Sequence, residues 1–96
     1  MWESIYEEGK SGSENGLIIL DEEYKGSCRI TLEKCERYYA ITCGIYGGMV
    51  HTAFVHENRY KEMYENMKQD LQEFIDKKTS YDEEIKFYEN FASKYI

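Results

Sequence analysis

The chain has no long apolar run. Its longest, Leu17–Leu20, falls far short of the ~20 residues that cross a bilayer as a helix, so no membrane partner is expected. It also lacks clustered Lys and Arg: 12 basic residues stand against 19 acidic ones, a formal charge of −7. Phosphate contacts need the opposite balance, which argues against nucleic acid as a partner. The opening MWESIYEEGK is acidic and has no apolar signal-peptide core, so a cytoplasmic location is expected.

Metal-ligand and thiol chemistry are equally thin. Cys28, Cys35 and Cys43 are odd in number and have no CxxC spacing, the pattern of free thiols in a reducing compartment. Zinc would need four ligands at finger-like spacing. Asp21-Glu22-Glu23 lacks the ordered carboxylates and glycine of a calcium loop, and reads as a solvated loop. Gly44–Gly48, GIYGG, has no helix opening behind it and is not a phosphate cradle. No cofactor, no metal and no catalytic residue is therefore assigned.

Tyrosine is what the chain has in quantity. Ten of its 96 residues are Tyr, and a large apolar body with a polar tip suits core margins and interfaces alike. The length corresponds to one domain, 1–96.

Along the chain, Trp2, Ile5 and Tyr6 read as a short strand or helical turn. Glu7–Asn15 is rich in Gly, Ser and charge, and predicts a mobile loop at about 7–15. A first strand follows at about 16–21, with Asp21–Gly26 as its connecting loop. Cys28, Ile30 and Leu32 alternate with Arg29, Thr31 and Glu33, the period of two that marks a half-buried strand at about 27–34. The third and fourth strands, at about 38–46 and 49–55, close on Gly47-Gly48, read as a two-residue type I′ turn.

That turn sets the register: Ile45 opposes Val50, Cys43 opposes Thr52 and Ile41 opposes Phe54. A turn at Cys35-Glu36 sets Leu32 against Tyr39 and Ile30 against Ile41. Both turns gather the apolar residues on one face.

Beyond Val55 the period changes to that of a helix. Tyr60, Met63, Tyr64, Met67, Leu71, Phe74 and Ile75 form one apolar stripe at about 58–78, with Asn58 as N-cap. Ser80-Tyr81-Asp82-Glu83 matches a capping box and opens a second helix at about 81–95. The predicted fold is α+β: a four-stranded antiparallel meander sheet packed on one face by two C-terminal helices.

The other, outer face of the sheet is where function is expected. In this register it carries Arg29, Tyr38, Thr42, Tyr46 and His51, with Ile18 and Leu20 from the first strand. It is too polar for a core and too aromatic for an ordinary solvated face. Its cover would be the Trp2-Ile5-Tyr6 segment, a second copy, or a ligand.

Three functions compete. The first is a non-enzymatic protein-binding or homodimerising module, with Ile18 and Leu20 at the covered face. The second is a small-ligand binder or enzyme using His51, Arg29, Thr42, Tyr46 and Tyr38, where imidazole, guanidinium and phenol would converge. The third is an inhibitor or immunity-type protein that binds a basic partner through its acidic surface. A Cys43–His51 pair is not expected, because this register puts the two on opposite faces.

Overall fold

The computed structural model describes all 96 residues, Met1–Ile96. The elements are β1 (Trp2–Ser4), β2 (Leu17–Tyr24), β3 (Cys28–Lys34), β4 (Tyr39–Ile45), β5 (Val50–Val55), α1 (Tyr60–Asp76) and α2 (Tyr81–Lys94). The class is α+β, as the alternation of periods predicts. The sheet, however, has five antiparallel strands in the order β1-β2-β3-β4-β5, not four. The extra strand is the Trp2 segment, which pairs with the far end of β2 (Trp2↔Tyr24). That pairing exists because β2 runs on through Asp21-Glu22-Glu23 to Tyr24, where a solvated loop was expected. The actual connection is tight, with Lys25 and Gly26 both at positive φ (52° and 62°) and Ser27 N bonded to Tyr24 O at 2.9 Å. This is the backbone signature of a type I′ turn.

Two further registers differ from expectation. Between β3 and β4 the connection spans Cys35–Tyr38, so Leu32 opposes Ile41 and Ile30 opposes Cys43. The shift is two residues and preserves the faces. Between β4 and β5 the loop is three residues, Tyr46-Gly47-Gly48, with Gly48 N bonded to Ile45 O at 2.8 Å and Ile45 N to Met49 O at 2.9 Å. The positive φ falls on Gly47 (77°), third in the Ile45–Gly48 turn, where a type II turn needs glycine. An odd loop in place of an even one slips β5 by one residue, and a one-residue slip exchanges its faces. Cys43 now opposes His51, Ile41 opposes Ala53 and Ala40 opposes Phe54.

One face of the sheet carries the core. Cys28, Ile30, Leu32, Tyr39, Ile41, Cys43, Ile45, Ala53 and Val55 meet Tyr64, Met67 and Leu71 of α1 and Phe91 of α2. Full burial of side chains such as Ile30, Ile41, Met67 and Leu71 contributes roughly 1.5–3 kcal/mol each before chain entropy is counted. Val50 and Phe54, expected in this row, are 81% and 50% exposed because the slip turns them outward.

The helices form as their stripes predict, with one difference at the start. The residue before α1 is Arg59, with no side-chain cap, and Asn58 lies outside the helix. The first turn is fixed by packing instead: Tyr60 stacks on Tyr39 with ring centroids 3.9 Å apart. At α2 the expected capping box is present, Ser80 Oγ accepting from Glu83 N and Glu83 Oε1 accepting from Ser80 N. Phe74 and Phe87 stack at 4.1 Å and lock the two helices together. Neither helix is long and apolar enough to cross a membrane.

Candidate functional site

The outer face is built by β2, β3 and β4, whose outward residues alternate with the core row. Arg29, Thr31 and Glu33 of β3 lie beside Gly44, Thr42 and Ala40 of β4, and on the other side beside Glu23, Asp21 and Ile18 of β2. An open groove of about 690 Å³ runs over this surface. Its floor includes Arg29, Thr31, Thr42 and Gly44, its walls the Glu7–Ser13 segment on one side and Tyr46–Val50 on the other.

Two buried carboxylates organise the floor, and both were missed as site residues. Asp21 is fully buried and accepts from Arg29 Nε (2.9 Å), Arg29 Nη2 (2.6 Å) and Thr31 Oγ1 (3.0 Å). The bond to Asp21 raises the already high pKa of Arg29 further. Glu33, 2% exposed, accepts from Gly16 N (2.6 Å) and Glu14 N (3.1 Å). A carboxylate satisfied by backbone N–H groups makes a strong, charge-assisted anchor. This is how the Gly- and Ser-rich segment is held over β2 and β3: Gly9 N bonds Ile18 O (2.8 Å) and Ile18 N bonds Lys10 O (2.9 Å). No sequence signal singles Glu33 out, because the N–H groups of Glu14 and Gly16 lie 19 and 17 residues away along the chain and only folding brings them to it.

Of the expected site residues, Arg29, Thr42 and Tyr46 line the groove together. Tyr46 donates to Glu23 Oε2 (2.6 Å), and that bond, with burial, pushes its phenol up to about 12. Tyr38 lies apart, edge-on to Phe54 with centroids 5.4 Å apart. His51 is not on this face. The β5 slip places it under the sheet, where Nε2 meets the Tyr95 carbonyl and the ring lies edge-on to Phe91. Ile18 and Leu20 also separate, because an irregularity between them puts Ile18 opposite Glu33 and Leu20 opposite Leu32. Ile18 is buried on the outer side under the folded-back segment, and Leu20, 39% exposed, belongs to the helix side.

The slip also corrects the thiol expectation, since Cys43 and His51 are cross-strand partners on one face. Cys43 is nevertheless buried, and burial pushes its thiol up to about 12, away from thiolate chemistry. Cys28 is pushed up to about 11 for the same reason. No three His, Cys, Asp or Glu side chains gather as a metal site requires.

Trp2, expected as a cover, does not reach the outer face. Trp2 packs on the helix side, 5.2 Å from the Tyr24 ring, with Nε1 donating to Gln72 (3.0 Å). The folded-back segment shields β2 and β3, while Tyr38 (37%), Tyr46 (52%), Val50 (81%) and Phe54 (50%) stand exposed along β4 and β5. Compared with protein-family models, curated proteins and solved structures, the chain matches none of them.

Proposed function

We propose that this chain is a non-enzymatic interaction module that works as a homodimer, contacting its second copy through the β4–β5 side of the outer face. The observation that carries the reading is the exposure of Val50 and Phe54 on β5 and of Tyr46 and Tyr38 at the two ends of β4. Aromatic side chains such as Tyr38, Tyr46 and Phe54 are enriched in the desolvated centres of interfaces. The two buried thiols pushed to about 11 and 12, and a histidine turned to a backbone carbonyl, favour this reading over an enzyme. A basic partner draws less support. Asp21, Glu22, Glu23, Glu33, Asp70 and Asp76 are engaged within the fold, which thins the free acidic surface.

Sedimentation equilibrium from micromolar to near-millimolar protein tests it. Concentration-dependent dimer is expected, and it should strengthen as salt rises from about 0.05 to 0.5 M, because two copies of charge −7 repel across a shorter Debye length. A monomer throughout defeats the reading.

A second reading has one specific observation behind it, the 690 Å³ groove with Arg29 in its floor. Asp21 fixes the guanidinium by its Nε and Nη2, leaving Nη1 without a partner in the fold. The ligand this suits is a small hydrogen-bonding molecule with one acceptor group. A thermal-shift screen of small carboxylates and amides checks it: stabilisation lost in Arg29→Lys supports the groove, and no shift counts against it.

A further inference from the structure

The two edges of the sheet are built differently. The β1 edge is three residues long and carries Glu3 at its centre, a short, charged edge of the kind that resists pairing. The β5 edge is Val50–Val55, VHTAFV, six residues without Lys, Glu, Asp or Pro and with no bulge against β4.

The direction of its free backbone groups follows from the ladder. Ile45 N bonds Met49 O, so Ile45/Met49 is a hydrogen-bonded pair, and alternation makes Cys43/His51, Ile41/Ala53 and Tyr39/Val55 the next ones. The β3–β4 side agrees, since Tyr46 N bonds Ser27 O and the even-numbered residues of β4 face β3. Val50, Thr52 and Phe54 therefore point their N–H and C=O groups away from the sheet. Their side chains share the outer face, where Thr42 and Thr52 hydroxyls meet at 3.1 Å.

We propose that β5 pairs antiparallel with β5 of a second copy about a two-fold axis at Thr52, extending the sheet across the dimer; the proposal rests on the homodimer reading and names its contact. The register is dictated by self-complementarity. With the axis at Thr52, Val50 lies opposite Phe54 of the second copy, Thr52 opposite Thr52, and Phe54 opposite Val50. All three residues then exchange both backbone groups, and Val50 and Phe54, two of the four exposed side chains behind the homodimer reading, each gain an apolar cross-strand neighbour. Moving the axis by one residue either way leaves Val50 or Phe54 without a partner inside the strand. The contact is isologous, so it closes at two copies.

Cysteine trapping and sedimentation equilibrium together test this. In a hydrogen-bonded antiparallel pair the Cα atoms lie about 5.5 Å apart, inside the disulfide range. Thr52→Cys, placed in a Cys35→Ser background to remove the half-exposed thiol, is expected to form a disulfide dimer under mild oxidation. Val50→Cys in the same background should not, because the two Val50 positions stand ~13 Å apart along the strands. Thr52→Pro removes an N–H that β4 does not use, so the monomer should keep its circular dichroism while dimer affinity falls at least tenfold. Val50→Lys, at an exposed position, should weaken the dimer likewise and serves if the proline variant unfolds. A wild-type dimer that Val50→Lys leaves intact, or that Val50→Cys traps as readily as Thr52→Cys, overturns the β5 contact while the homodimer reading stands. A wild-type monomer overturns both, and leaves the β5 edge to a strand of another protein.

Discussion

Arg29 holds Asp21 through two N–H···O bonds, 2.9 Å from Nε and 2.6 Å from Nη2, across adjacent strands on the outer face of the sheet. The carboxylate is fully buried and the guanidinium side chain is 40% exposed, so the pair is half in water. Removing the arginine leaves a buried carboxylate with only Thr31 as a side-chain donor. Arg29→Ala should therefore cost about 3 kcal/mol in urea unfolding. Asp21→Asn added to it should recover at least about 1 kcal/mol, because the uncompensated charge is gone. If the double variant is no better than the single, the cost lies in packing and not in charge.

Gly16 lies against the backbone of β3. A Cβ there would stand 2.6 Å from the Lys34 carbonyl oxygen and 2.8 Å from Glu33 Cγ. Backbone cannot yield as a flexible side chain can, so Gly16→Ala should break the Gly16–Glu33 bond and lift the folded-back segment. The expected loss is about 2 kcal/mol, a fall in Tm of roughly 8–16 °C for a domain of this size. Gly9, which has open space around it, makes the contrast through φ alone. Its alanine variant should cost only about 1 kcal/mol, from the left-handed backbone.

Burial holds protons on Cys28 and Cys43, at about 11 and about 12, above the ordinary thiol value of 9.0. Above pH 9 the unfolded chain releases these protons while the folded chain keeps them, so stability falls as pH rises from 9 towards 12. Tyr64 and Tyr95 add to the fall above pH 10, being raised chiefly by burial and then by bonds to Glu22 and Asp70. Asp76 works at the other end: bonds from Lys25 and Tyr24 lower it below 3.8, and its contribution is lost as pH falls through that region. A pH series of urea midpoints should show both declines. At about pH 8, a thiol reagent should reach Cys35 well before the other two.

Ser80 caps α2 and supports its reciprocal bond with Glu83. Ser80→Ala should cost about 1 kcal/mol, with faster amide exchange at Glu83 N. Asn58→Ala should be close to neutral, since Asn58 does not cap α1.

Much of this molecule follows from sequence periodicity. The alternation Cys28-Ile30-Leu32, the stripe from Tyr60 to Ile75 and the Ser80–Glu83 box each specify a local state, because each signal lies within one element. The faces of β3 and β4 belong to the same class, since their alternation is unambiguous and even a two-residue shift preserves it.

The tertiary structure decided the rest, and β5 shows why. VHTAFV offers apolar residues at both parities, Val50 and Phe54 on one side, Ala53 and Val55 on the other. Gly47-Gly48 accommodates a two- or a three-residue loop equally well. Local preference is therefore balanced, and packing against the helices settles the choice. Ala53 and Val55 join the core, His51 finds the Tyr95 carbonyl and the Phe91 ring, and Val50 and Phe54 turn outward. Asp21 and Glu33 obey the same logic. A carboxylate in an outward row reads as solvated until a distant arginine or a backbone loop arrives to cover it, and only the folded chain brings those groups together.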